Sequence, residues 1–424
     1  MNYIKEEIKK GITIHKINTN KFKTNLFAVF IATPLKRESV TKNALITSIL
    51  RRGSKNIPSQ DIISKKLEEM YGATFDCGIE KTGDNQIIKF YLESINEEFL
   101  PEKEELTKKS LDILFDIIFN PLIQDEGFKK DYFETEKQNL KRIIESKIDN
   151  KRAYSFERCI EEMFKNEPYG LYKFGYVEDL DKITPKDLYE QYKKLISNSK
   201  IDIFISGEQK DNRIIDMVKE NEKIKNLNER DAEYIRTSEK TKKIDVKEPQ
   251  TIEEHMQVGQ GNLVMGLDIN ADMDDSKYIA SVYNAILGGG ANSKLFQNVR
   301  EKQSLAYTAA STYRRQKNVI FIRCGIEIKN YEKALNTIKE QLKDIENGEF
   351  SDDDINNSKE LISESIRSIS AEQDTEISYY YGQELSDTFT TIEEYIEKIN
   401  KVTKEQIEEI AKNININTVY FLRD

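Results

Sequence analysis

The sequence predicts an α+β fold: two similar domains from an internal duplication, each a largely antiparallel sheet with helices packed on it. Three observations carry that expectation. Two closing segments match, "ITPKDLYEQYKKLISNSKIDIFISG" from Ile183 and "VTKEQIEEIAKNININTVYFLRD" from Val402, which puts Thr184 and Thr403 219 residues apart. Two earlier segments match in the same order: Ile49-Leu50, Gly53, "IISKKLEEMYG" and "ATFDCGIE", against Ile286-Leu287, Gly290, "SKLFQNVREKQ" and "SLAYTAASTY". Between the halves, residues 221–250 are polar and carry no apolar period of their own.

Each element has a local reason. Thr184 and Thr403 sit where a hydroxyl caps the first turn of a helix, and apolar residues then recur at helical spacing, Leu188 and Tyr192 in one copy, Ile407 and Ile410 in the other. Apolar runs at 201–206 and 418–422 close each copy as a strand. In the first half, "LFAVFIAT", "ATFDCGIE", "QIIKFYLES" and "IDIFISG" read as strands around long helices over 102–119 and 127–148. The expected organisation is a first domain over 1–220, a polar connector over 221–250 and a second domain over 251–424.

Composition narrows the function classes. With 424 residues, the chain is too long for one ordinary core, and 38% hydrophobic with 33% charged residues suits soluble domains with heavily solvated surfaces. A formal charge of -10, without a basic patch interleaved with aromatics, argues against a nucleic-acid partner. No run approaches a membrane span and the N-terminal stretch lacks a secretory pattern, so the expected location is the cytoplasm, away from membranes. Cys77, Cys159 and Cys324 are scattered, which fits buried thiols better than a disulfide framework or a cysteine-rich metal site.

Two further motifs give the reading its direction. "EPYGLYKFGYVEDLDKIT" in the first half and "LGGGANSKLFQNVREKQSLAY" in the second resemble signatures of the insulinase/pitrilysin family of inverted-motif zinc peptidases, which includes mitochondrial processing peptidase. The likeness covers nearly the whole chain. It implies a helix that, in active members, carries HxxEH: two histidines one turn apart hold zinc, and the glutamate between them acts on the metal-bound water.

Aligned through the "RRGS" that follows, those positions fall on Ala44, Thr47 and Ser48, and the third ligand falls on Ile143 within "ETEKQNLKRII", its upstream acidic companion persisting as Glu136. Alanine and isoleucine offer no donor atom, and a neutral hydroxyl is a poor zinc ligand beside imidazole or carboxylate. His15 and His255 are the only histidines, and each reads as a surface or hydrogen-bonded side chain. The expectation is no metal, no cofactor and no catalysis by this chain alone.

The second half retains more. The resemblance implies a substrate-contacting Arg and Tyr seven residues apart, matched here by Arg300 and Tyr307, both able to donate to a peptide carbonyl or its developing oxyanion. Packing is the other reading of this pair, with Arg300 at a helix end and Tyr307 in the core. Gly288, Gly289 and Gly290 lack the GK[ST] of a nucleotide loop and read as a helix end and tight turn needing positive φ, or as a loop touching substrate.

The resemblance therefore implies the inactive subunit of a two-subunit clamshell whose partner is an HxxEH-bearing paralogue, with a peptide or unfolded polypeptide as substrate. The homodimer is the other assembly left open. A binding or scaffold protein without peptide processing, and an active metallopeptidase with unrecognised ligands, are the rival classes. Within the family, the stretch over 49–93 is most similar to a bacterial inactive paralogue associated with aminopentanol modification of elongation factor P.

Overall fold

A computed structural model describes residues 2–102, 104–209, 212–237, 248–271, 273 and 275–424. The chain forms two compact units, Met1–Ser146 with Leu171–Ile235, and Lys147–Gly170 with Arg236–Asp424. In chain order the first unit contains β1 (Asn2–Lys9), β2 (Ile12–Asn18), β3 (Thr24–Pro34), α1 (Val40–Leu50), α2 (Gln60–Glu69), β4 (Thr74–Thr82), β5 (Asn85–Ile95) and α3 (Leu106–Phe119). A short pair, β6 (Ile123–Gln124) and β7 (Gly127–Phe128), leads to α4 (Lys130–Glu145). After α5 (Lys151–Met163), which belongs to the other unit, come α6 (Val177–Leu180), α7 (Pro185–Asn198), β8 (Lys200–Gly207), α8 (Arg213–Glu220) and α9 (Glu222–Lys225).

With α5, the second unit contains β9 (Gln250–His255), β10 (Gly261–Ile269), α10 (Ser276–Gly288), a π-helix (Leu295–Lys302), β11 (Ala306–Arg314) and β12 (Val319–Ile326). It continues through α11 (Tyr331–Glu346), α12 (Asp352–Ser368), α13 (Gln373–Glu384), α14 (Ile392–Lys401) and α15 (Lys404–Ala411) to β13 (Ile414–Arg423).

The two sheets repeat one another strand for strand. The first runs β1-β2-β8-β3-β5-β4 and the second, read from its far edge, β9-β13-β10-β12-β11. Removing the extra edge strand β1 leaves five matching strands in the same order. In each sheet one pair is parallel, β2 with β8 and β9 with β13, and the other pairs are antiparallel. The largely antiparallel α+β duplication expected from the sequence is the observed architecture.

The repeated caps form as their residues dictate. Thr184 Oγ1 accepts from the Asp187 amide at 3.1 Å to start α7, and Thr403 Oγ1 accepts from the Gln406 amide at 3.4 Å to start α15. Gln406 returns the bond to the Thr403 amide at 2.9 Å, which satisfies a second orphan donor of that helix end. Residues of α1, α3 and α7 such as Leu45, Leu114 and Leu188 then bury one face of the first sheet, and Ile279, Ile338 and Ile407 do the same for the second.

The units do not divide at the connector as the sequence suggested. Residues 147–170 leave the first half and join the second, where Phe156, Cys159 and Ile160 of α5 pack on Val264, Phe321 and Tyr420. Gly266 of β10 permits this approach, since a Cβ there would lie 2.4 Å from the sulfur of Met163. The stretch expected to begin a solvated connector at Asn221 is instead tied to the first unit as far as Ile235. Ile224 is buried, the Arg230 amide donates to Lys10 O at 3.1 Å, and Asn85 Nδ2 donates to Ile235 O at 2.6 Å. Residues 238–247 of the expected connector lie outside the described residues. Among the described residues, no helix is long and apolar enough to cross a membrane.

Candidate functional site

Helix α1 places Ala44, Thr47 and Ser48 against α4 and the sheet, but their chemistry is turned inward. Ala44 and Thr47 are buried, and Thr47 Oγ1 donates to Asn43 O at 3.0 Å, one turn back. Ser48 Oγ points the same way, 3.4 Å from Ala44 O. Both hydroxyl protons are thus committed to the helix backbone. Behind Thr47, the Cys77 sulfur of β4 lies 3.7 Å from Thr47 O, and burial pushes its thiol up to about 12, so it stays a neutral packing group.

On α4, Ile143 is among the exposed large hydrophobic residues, whereas Glu136, seven residues earlier, is buried. The Glu136 carboxylate accepts from Arg52, both Nε and Nη2 lying close to Oε1, and from Asn139 Nδ2 at 3.1 Å. Arg52 also donates to Gln60 Oε1 at 3.2 Å. A cation already neutralises the one surviving carboxylate. The residues therefore do not fit a zinc ion: two positions lack a donor, two hydroxyls are used elsewhere, and the carboxylate is taken by a guanidinium.

The two histidines are occupied otherwise. His15 is fully buried, with Nδ1 2.7 Å from Tyr3 Oη, Nε2 2.9 Å from Asp202 Oδ1, and its ring stacked on Phe204. His255 is exposed at the edge strand β9, with Nδ1 3.2 Å from Asp424 O. The adjacent Glu254 is bound by Tyr154 Oη at 2.6 Å, Tyr420 Oη at 2.7 Å and Arg158 Nε at 3.1 Å, which ties α5 to the sheet.

Arg300 and Tyr307 lie on the surface. In the π-helix, Leu295 and Val299 are fully buried, so Arg300, the next residue, faces outward. Its Cζ is 4.5 Å from the Phe296 ring centroid and its Nε 3.4 Å from Glu301 Oε1. Tyr307 falls where the β11/β12 register shifts between Ala306 and Thr308, and is 62% exposed. The bulge removes it from the ladder and turns it away from the core. The reading of Tyr307 as a core aromatic does not survive this geometry.

Space explains two of the three glycines. Among the described residues, none of Gly288, Gly289 and Gly290 has positive φ, contrary to the turn expected from sequence. A Cβ on Gly288 would meet the Ser311 amide nitrogen at 2.4 Å, and one on Gly289 the Ala285 Cα at 2.7 Å. Gly290 meets only Leu361 Cδ2, at 3.2 Å. Gly288 thus lets the end of α10 lie against β11, while Gly53, the counterpart of Gly290, does adopt positive φ, at 141°.

The "RRGS" motif by itself marks only the end of α1, and the role of Arg52 within it, one turn after Ser48, emerges from its pairing with Glu136. Sequence reasoning also passed over the Asn43 side chain, which accepts from Gln191 Nε2 at 2.9 Å and donates to Gln86 Oε1 at 3.0 Å beneath α1.

Comparison with known proteins agrees with this geometry. The family described as peptidase M16 inactive domain matches residues 182–362. Over 426 aligned residues the chain is 34% identical to YmfF of Bacillus subtilis (strain 168), a probable inactive metalloprotease, covering 100% of this chain and 99% of that protein. A conserved protein from Enterococcus faecalis V583 superposes with a TM-score of 0.91 at 28% identity, covering 100% of this chain and 99% of that one. The peptidase M16 inactive domain from Pseudomonas fluorescens shares the fold, with a TM-score of 0.77 at 15% identity over 100% and 98% of the two chains. By its full-length likeness to a probable inactive metalloprotease, the chain belongs to the M16 peptidase family as an inactive homologue.

Proposed function

We propose that this chain is the non-catalytic subunit of a heterodimer whose other member is an HxxEH-bearing paralogue, and that it lends Arg300 and Tyr307 to a peptide held at the partner's zinc. The observation that supports the reading is the exposure of both side chains on a π-helix and a bulge, two irregular elements that cost regular hydrogen bonding and recur at functional sites. A packing role would bury them. Of Gly288, Gly289 and Gly290, the last two keep backbone that an extended substrate could reach, whereas Gly288 is buried against Ser311 and would serve by letting the helix end close on β11. The setting is the cytoplasm. The likeness of residues 49–93 to the paralogue associated with elongation factor P makes that modification pathway the first place to seek the partner.

The test is co-expression of this chain with an HxxEH-bearing homologue from the same genome. The expected result is a stable complex that cleaves an unfolded peptide, while neither chain does so alone. Separate elution of the two chains, or equal activity of the homologue without this chain, would overturn the proposal.

A further inference from the structure

Two arginines of the second unit stand over one aromatic ring, and a third is close enough to act on one of them. Phe156 of α5 packs edge-on against Phe321 of β12, with ring centroids 5.1 Å apart. Arg323 of β12 and Arg314, the last residue of β11, place their guanidinium carbons 5.0 and 5.5 Å from the centroid of Phe156. Arg152 stands four residues before Phe156 on α5, and so lies on the same face of that helix.

Among the described residues, no ion pair answers these charges. Arg323 Nη2 donates to Thr312 Oγ1 at 3.3 Å, and its Nε is buried without a hydrogen-bond partner. Among the described residues, none of the three arginines forms an ion pair with a carboxylate. Burial, with the Arg314 and Arg152 charges beside it, holds the Arg323 guanidinium below its ordinary value. Like charges gathered at a partly buried position are costly without a counter-ion. In a chain with 75 acidic residues and a net charge of -10, three arginines without an ion pair among the described residues are a local exception.

We propose that Arg152, Arg314 and Arg323 bind a carboxylate carried by an extended acidic polypeptide lying along β11. The forked donors match a carboxylate, the exposed Arg152 and Arg314 can reach it directly, and the half-buried Arg323, its Nε unpaired, adds positive charge from beneath. The strand supplies the rest. β11 is an edge of its sheet, so one row of its backbone groups pairs with no strand of that sheet, and Arg314 stands at the end of that row. Nucleic acid fits less well, because Phe156 is only 7% exposed and offers no open face for a base, and the chain's net charge repels a phosphate backbone. This site goes beyond the pairing proposal and is tested on the single chain, so either can fail without the other.

The experiment is fluorescence anisotropy of the full chain at low salt, with a labelled unstructured peptide bearing a run of glutamates and a counterpart in which glutamine replaces each glutamate. The acidic peptide should bind at least about tenfold more tightly than the glutamine peptide, and the double variant Arg152→Gln/Arg314→Gln should lose that difference. Both residues are exposed, so the variant should keep the wild-type melting temperature or exceed it as repulsion is relieved. The double variant Arg152→Lys/Arg314→Lys, which keeps charge without the fork, should bind with intermediate strength. Equal binding of the two peptides, unchanged binding by the glutamine variant, or tighter binding of a single-stranded oligonucleotide than of the acidic peptide would each overturn the proposal.

Discussion

Arg52 on the loop after α1, four residues beyond Ser48, and Glu136 on α4 form an ion pair where the family resemblance would put a metal site. The pair makes the loss of zinc more than a loss of ligands, since a fixed guanidinium repels a divalent cation and occupies the carboxylate that remains. Wild-type protein should therefore carry no stoichiometric zinc when its metal content is measured. Ala44→His, Thr47→Glu, Ser48→His and Ile143→Glu together should restore little binding while Arg52 stays. Adding Arg52→Gln should raise zinc occupancy and let zinc raise the melting temperature. Full occupancy in the four-fold variant would show that Arg52 does not obstruct the site.

The glycines separate space from function. Gly288→Ala drives a methyl into the Ser311 backbone, so it should destabilise the second unit by roughly 1–3 kcal/mol, the usual cost of overpacking. Gly290→Ala meets only the end of a flexible, partly exposed leucine side chain, and should leave the melting temperature within about a degree or two of wild type, consistent with a small surface effect. If Gly290 serves an extended substrate, its alanine variant should instead lower turnover of the assembled complex. Thermal melts and activity on both variants distinguish the two roles.

What the sequence disclosed follows the range of the interactions. Thr184 and Thr403 were legible because a cap is decided within four residues, and the repeated strands because alternation and apolar runs are local. The partner of α5 was not. Phe156, Cys159 and Ile160 announce a buried helical face, but periodicity cannot say which of two similar sheets covers it. The positions aligned with the family's zinc ligands rest on motif likeness alone, whereas Arg52 against Glu136 needed the packing of α1 on α4. The exposure of Tyr307 depends on a one-residue register shift, which the alternation of "SLAYTAASTY" does not reveal. The three arginines lie at 152, 314 and 323, too far apart in sequence to read as a patch.

Glu254 makes the attachment of α5 sensitive to acid. Burial alone would raise its pKa, but bonds from Tyr154, Tyr420 and Arg158 outweigh it and hold the carboxyl below the ordinary glutamate value. A depressed carboxyl contributes stability above its unfolded pKa, and loses it as pH falls through the folded one. The second unit should thus weaken below about pH 4, beneath the reference glutamate value. Glu254→Gln should cost roughly 1.5–3 kcal/mol at neutral pH, the scale of hydrogen bonds to a charged group, and flatten that acid dependence. Denaturant melts at several pH values read both effects, and an unchanged acid slope in the variant would assign it to other carboxylates.

Arg300 and Tyr307 carry the proposed contribution to catalysis, and their exposure makes the test clean. Arg300 stacks on Phe296 and Tyr307 stands out from a bulge, so neither Arg300→Lys nor Tyr307→Phe should lower the melting temperature of the isolated chain appreciably. In the heterodimer the two substitutions remove different things. Lysine keeps the charge and loses the planar fork, while phenylalanine keeps the ring and loses the donor. If each side chain donates to the peptide during hydrolysis, each variant should lower kcat by roughly tenfold or more, in proportion to one lost oxyanion-type donor, with the complex still assembled. A change confined to KM would assign the pair to substrate binding, because an interaction equal in ground and transition states leaves kcat alone. Unchanged kcat and KM in both variants would remove this chain from the chemistry and leave it a purely structural half of the assembly.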